Sequence, residues 1–164
     1  MENLTLTILE LPLVIYINFL LAGALAAVCT WTDIKSMTIY NHYTYPAVVT
    51  GLIYSVLTAQ YDNLYGALIV FAVYLFFFLS GKMGGGDLKL AVALTLFLGM
   101  QAVITGSIIA GLVMMTWGFA FTWRKTGQFR TAVLVAAGKL PGGEVPYGAI
   151  LGPSSLIMAV LLCA

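Results

Sequence analysis

The chain has 164 residues, of which 62% are hydrophobic and only 8% charged, with a formal net charge of +1. A soluble domain carries roughly a quarter charged residues, so this composition excludes a water-soluble protein and points to an integral membrane protein. The near-zero charge and the lack of a basic run exclude nucleic acid and other polyanions as partners.

The first residues, MENLTLTILE, are acidic where a secretory leader would be basic, so the first apolar run is expected to be a retained span. Apolar runs follow at about Leu11 to Trp31, Tyr43 to Ala59, Leu64 to Ser80, Leu88 to Met100, Val103 to Trp123 and Tyr147 to Ala164. Most approach the ~20 residues needed to cross ~30 Å of hydrocarbon. The chain therefore reads as one all-α, polytopic membrane domain over residues 1–164 with six transmembrane helices. Lys35, Lys82, Lys89, Arg124, Lys125, Arg130 and Lys139 gather at one set of helix ends, while Glu2, Glu10 and Asp62 mark the other. The positive-inside rule then puts both termini outside and the loops holding Asp33, Asp87 and Glu144 in the cytoplasm.

The fourth run covers only about 13 residues, or ~20 Å, before the turn-like Gly99 to Gln101, so one of its ends must sit below the membrane surface. The longest stretch between spans, Arg124 to Val145, contains FRTAVLVAAGKL, expected to form a weakly amphipathic helix in the interface. In TGSIIAG, Ser107 and Gly111 supply the small-xxx-small spacing that suits close helix packing.

Three acids fall on the cytoplasmic side. Glu144, between glycine and proline neighbours in PGGEVPYG, reads as a solvated loop acid. Asp33 follows the first span in CTWTDIKSMTIYN, and Asp87 follows Gly84, Gly85 and Gly86 in SGKMGGGDLKLAV at the mouth of the fourth. Each has a structural reading when taken alone. Asp87 suits a helix N-cap, and Asp33 suits an interfacial charge neutralised by Lys35. Together they are two costly ionisable groups on one membrane face with a triple glycine beside one of them, which favours chemistry.

Two carboxylates that approach each other do not both ionise comfortably, so one keeps its proton and the other serves as a base. Such a pair activates water for attack on a peptide carbonyl and stabilises the oxyanion that forms. The glycines are expected to allow positive φ, close approach of an extended peptide, and mobility over Gly81 to Gly86. Other constellations are harder to build. His42 lies in YNHYTYP as an interfacial polar residue, and Ser36 and Ser80 lack a nucleophile-elbow glycine pattern. Cys29 and Cys163 sit far apart in apolar runs with no CxxC spacing, so no metal site and no cofactor are expected.

Three segments carry a family resemblance: TDIKSMTIYN from Thr32, GGGDLKL from Gly84, and VPYGAILG from Val145. In this order among six spans they resemble the type IV prepilin peptidases, membrane aspartic proteases of the GxGD class, and especially the short forms that serve Tad/Flp-type pili. The resemblance implies that Asp33 and Asp87 form the catalytic dyad, with Gly84, Gly85 and Gly86 in the active-site loop. It implies hydrolysis of a leader peptide from a prepilin or pseudopilin, commonly after a glycine, at the cytoplasmic edge of the substrate's hydrophobic N-terminal helix in the inner membrane. Family members often carry proline just before the asparagine matched by Asn41, where this chain has Tyr40. The cysteine pairs that long members associate with methylation have no counterpart in these residues, so no methyltransferase activity is implied. Archaeal preflagellin-type peptidases are similar. Readings from other classes are a proton- or cation-coupled transporter using the same two aspartates, and a non-catalytic membrane scaffold.

Overall fold

The computed structural model describes residues 2–81, 83–136 and 147–163, with side chains from residue 13 onward. The described residues form seven helices and no strand. They are α1 (Glu2–Ser36), α2 (Asn41–Leu57), α3 (Tyr61–Leu79), α4 (Gly85–Leu98), α5 (Met100–Thr126), α6 (Phe129–Ala136) and α7 (Tyr147–Cys163). Each of the six apolar runs coincides with one helix, within a few residues except at the start of α1. Among the described residues, three stretches are long and apolar enough to cross a membrane alone: Leu13–Ser36, Tyr61–Leu79 and Met100–Thr126. Lys82, Lys139 and Glu144 lie outside the described residues.

The organising element is α4. Its 14 residues span ~21 Å at 1.5 Å per residue, short of a bilayer's hydrocarbon. It buries residues on every side, among them Leu88, Leu90, Ala91, Leu94, Leu96 and Phe97. α1, α2, α3, α5 and α7 all pack around it. An apolar run with no polar face is what a helix enclosed by other helices requires. Lys89, near its start, donates to Asn41 Oδ1 at 2.8 Å and lies 4.5 Å from the centre of the Tyr45 ring, tying α4 to the start of α2.

Glycines let the outer helices come close. A Cβ on Gly51 would stand 2.9 Å from Leu96 Cβ, and one on Gly66 would stand 2.8 Å from Met100 Cβ. At the α5–α7 crossing the close residue is Gly106, where a Cβ would meet the Ser155 Cα at 2.6 Å, and Ser154 donates its hydroxyl to the Gly106 carbonyl at 2.9 Å. The expected Ser107 and Gly111 pair does not serve this role. Ser107 bonds Tyr74 on α3, and a Cβ on Gly111 would have nothing within 4 Å. Because the obstacle at Gly106 is backbone, Gly106→Ala is expected to destabilise the folded protein by about 1–3 kcal/mol. Chemical unfolding in detergent measures this, and an unchanged midpoint would refute the crossing.

Of the segment after α5, Phe129–Ala136 forms a helix, and the residues from 137 to 146 lie outside the described residues. α6 is amphipathic and folds back on α5 through a cluster of Phe119, Trp123 and Phe129, with ring centres 5.4 to 6.0 Å apart.

Candidate active site

Asp33 sits in the last turn of α1 and is buried at 6% exposure, whereas Lys35 is exposed. Its partner is not that lysine. Asp33 Oδ2 accepts a hydrogen bond from the Ala149 N–H at 2.9 Å. Ala149 is the third residue of α7, one of the first-turn N–H groups that have no acceptor within their own helix, and the positive end of the helix faces the carboxylate. The start of the last helix therefore aims the acid at the end of the first.

α1 stops just beyond Asp33. The Met37 N–H closes the final turn on the Asp33 carbonyl at 2.9 Å, and Met37 itself has φ +50°. The left-handed conformation is unfavourable by roughly 1–2 kcal/mol for a residue with a Cβ. It reverses the chain so that Ile39 folds back into the core, at 8% exposure. The next residue, Tyr40, is extended, with ψ 134° and with φ −75°, within the range to which proline's ring confines φ, so the loop keeps a proline-compatible shape without one.

Asp87 belongs to the first turn of α4 but is not its N-cap. The extended residue before the helix is Gly84, with φ −75° and ψ 147°, and Gly85, Gly86 and Asp87 are the first three helical residues. An acid at the third position reaches back toward the cap, and a Cβ on Gly84 would lie 3.2 Å from Asp87 Oδ2. The expectation of positive φ in the triple glycine is likewise corrected: φ is positive at Gly81, not at Gly84, and Gly85 and Gly86 are helical. What Gly86 supplies is close approach, since a Cβ there would stand 2.9 Å from Ile39 Cβ. A residue other than glycine would push α4 off the loop that follows Asp33.

The two acids meet at a residue whose role the sequence did not disclose. A Cβ built on Gly148 would lie 3.1 Å from Asp33 Oδ2 and 3.1 Å from Asp87 Oδ1, and would collide with Ile39 Cδ1. The two carboxylate oxygens are thus within twice 3.1 Å of each other, on the scale of a single bridging water. The three segments TDIKSMTIYN, GGGD and PYG converge here, with Ile39 wedged against two glycines. The signal for Gly148 was present in VPYGAILG, but a glycine beside a helix start says nothing about what approaches it.

The other candidates lie elsewhere. Ser36 and Ser80 each donate to a carbonyl one turn back in their own helix, Thr32 and Phe76, at 2.7 Å. His42 is exposed and packs against the rings of Tyr40 and Tyr43, with centres 5.4 and 4.0 Å away. Cys29 is buried in the core and Cys163 is exposed at the far end of α7.

No curated protein and no solved structure matches the chain. A model of the type IV leader peptidase family matches residues 19–119, a stretch that holds Asp33, Asp87 and the three glycines and ends before Gly148. That match covers more than half of the sequence, and the chain belongs to the type IV leader peptidase family, a membrane-embedded peptidase.

Proposed function

We propose that the protein is an aspartic endopeptidase that removes the leader peptide from prepilin or pseudopilin substrates, with Asp33 and Asp87 as its catalytic dyad. The observation that carries this reading is the approach of both carboxylates to one point beside Gly148, a residue that puts no side chain of its own between them. In the reaction, one carboxylate takes a proton from a water as its oxygen attacks the carbonyl carbon of the scissile bond. The other, protonated, donates a hydrogen bond to the oxyanion that develops. The tetrahedral intermediate collapses with cleavage of the C–N bond, and the leaving amine takes up a proton from the dyad. No covalent intermediate and no cofactor enter the scheme.

The chain crosses the inner membrane six times in this reading, with both termini outside and the dyad at the cytoplasmic face, as the seven basic residues indicate. Purified protein is expected to release the leader from a prepilin in detergent. Sealed inverted vesicles, which expose the cytoplasmic face, are expected to process an added leader-bearing substrate, whereas right-side-out vesicles are not. No hydrolysis in detergent would overturn the reaction, and cleavage only in right-side-out vesicles would overturn the orientation.

A further inference from the structure

A groove of about 310 Å³ runs between α3 and α5. Its walls are Val73 and Phe77 on one side and Ile104 and Ile108 on the other, and all four are exposed toward the surroundings of the helices. Three hydroxyl residues, Tyr74, Ser107 and Tyr147, line it as well. Their polar atoms bind one another: Tyr74 pairs with the Ser107 hydroxyl, Ser107 donates to the Val103 carbonyl, and Tyr147 donates to the Ser107 carbonyl at 3.4 Å. Polar groups satisfied in this way leave a surface suited to an apolar guest.

One end of the groove lies at the dyad. Met83 and Tyr147 line it, and they are the chain neighbours of Gly84 and Gly148, the two glycines that abut the carboxylates. A larger cavity, of about 410 Å³, lies at the other end of the helices around Asn18, Gln60 and Asn63, where both asparagine amides donate to Gln60 Oε1. Asn18 is ~22 Å of helix away from Asp33, too far to take part in binding at the scissile bond.

We infer that the α3–α5 groove is the subsite for the first turns of the substrate's apolar helix, the residues immediately after the scissile bond. This rests on the leader peptidase reading, because an apolar helix continuous with the cleaved bond is what gives the groove its occupant. A peptide held across the dyad leaves its charged leader at the mouth of α4 and sends its apolar side chains down between Val73 and Ile104, where lipid would otherwise lie.

The test uses full-length protein in liposomes and a synthetic peptide with a charged leader, a glycine and an apolar helix of about 20 residues. Ile108→Cys is made in a chain that also carries Cys163→Ser, to remove the exposed cysteine, and Asp87→Asn, to keep the peptide intact. With a cysteine on the third residue after the glycine, mild oxidation is expected to form a disulfide at position 108 and not in a control carrying Leu52→Cys on α2. Equal cross-linking at both positions, or none at 108, overturns the subsite. With Asp87 intact, Val73→Trp combined with Ile104→Trp is expected to raise KM for the helical peptide about tenfold. The same pair is expected to leave kcat/KM for a short peptide lacking the helix within about twofold. Equal losses on both peptides would also overturn the subsite. If the protein with neither tryptophan cleaves neither peptide, the leader peptidase reading fails, while the cross-link still decides the groove.

Discussion

Asp33→Asn and Asp87→Asn are each expected to reduce leader-peptide cleavage by about a thousandfold or more, with the protein still inserted and folded. Asparagine keeps an acceptor oxygen of the same size. At position 33 it still accepts the Ala149 N–H, and at position 87 it still reaches back toward Gly84. What it cannot supply is an ionised base or a proton shared between two carboxylates. A purely structural acid would behave differently, because both substitutions preserve the contacts that hold α1 to α7 and α4 to its own first turn. Glu144→Gln is the control and is expected to leave cleavage unchanged. The double substitution is expected to be no slower than either single one, since groups that act as one unit are strongly non-additive. Timed cleavage by detergent-purified proteins of matched melting temperature provides the measurement. Activity within a few fold of the native level in either single variant would remove that residue from the dyad.

The second large effect is expected at Gly148, a position with no chemistry of its own. Gly148→Ala places a methyl group 3.1 Å from one oxygen of each aspartate and against the tip of Ile39. All three neighbours are anchored: Asp33 by Ala149, Asp87 by the first turn of α4, and Ile39 by Gly86 behind it. The methyl therefore spreads the carboxylates or occupies the space between them. Displacing reacting groups by about 1 Å costs on the order of a hundredfold in rate, and that is the loss expected in kcat/KM. The neighbouring substitution Gly152→Ala is informative as a comparison, since its nearest neighbours are Ala26 and Thr30 on α1, at 3.0 Å and beyond. It is expected to lower stability more than rate. Normal cleavage by Gly148→Ala would mean that the acids do not meet at this point.

Much of this was legible in the sequence, and for definite reasons. Runs of apolar residues bounded by charge mark helices in any membrane chain, so all the long helices were expected near their observed positions. The two aspartates stood out because acids are expensive beside a bilayer. What the sequence withheld depends on contacts between distant segments. Asp87 looks like a cap because it follows three glycines, yet the backbone is already helical at Gly85, and only the dihedral angles of Gly84 reveal which residue is extended. Gly148 and Ile39 matter through their distance to residues in other helices, which spacing along the chain does not encode. The enclosure of α4 was hidden for a similar reason, since Leu90 and Leu94 would read the same facing lipid as buried among other helices. A spacing rule favours Ser107 and Gly111 over Gly106 because it identifies small residues without saying which face of the helix meets a neighbour.

The enclosure of α4 has a bearing on how the lipid environment reaches the site. A helix that touches lipid shifts or tilts when the bilayer thickens or thins. α4 is wrapped by protein on all sides, and the acid it carries is held at a height set by the packing of Gly86 against Ile39 and of Leu96 and Phe97 against Gly51 on α2, not by the surrounding acyl chains. The outer helices absorb the elastic deformation, and the level of Asp87 is insulated from it. A peptidase built in this way keeps one working geometry in membranes of differing composition.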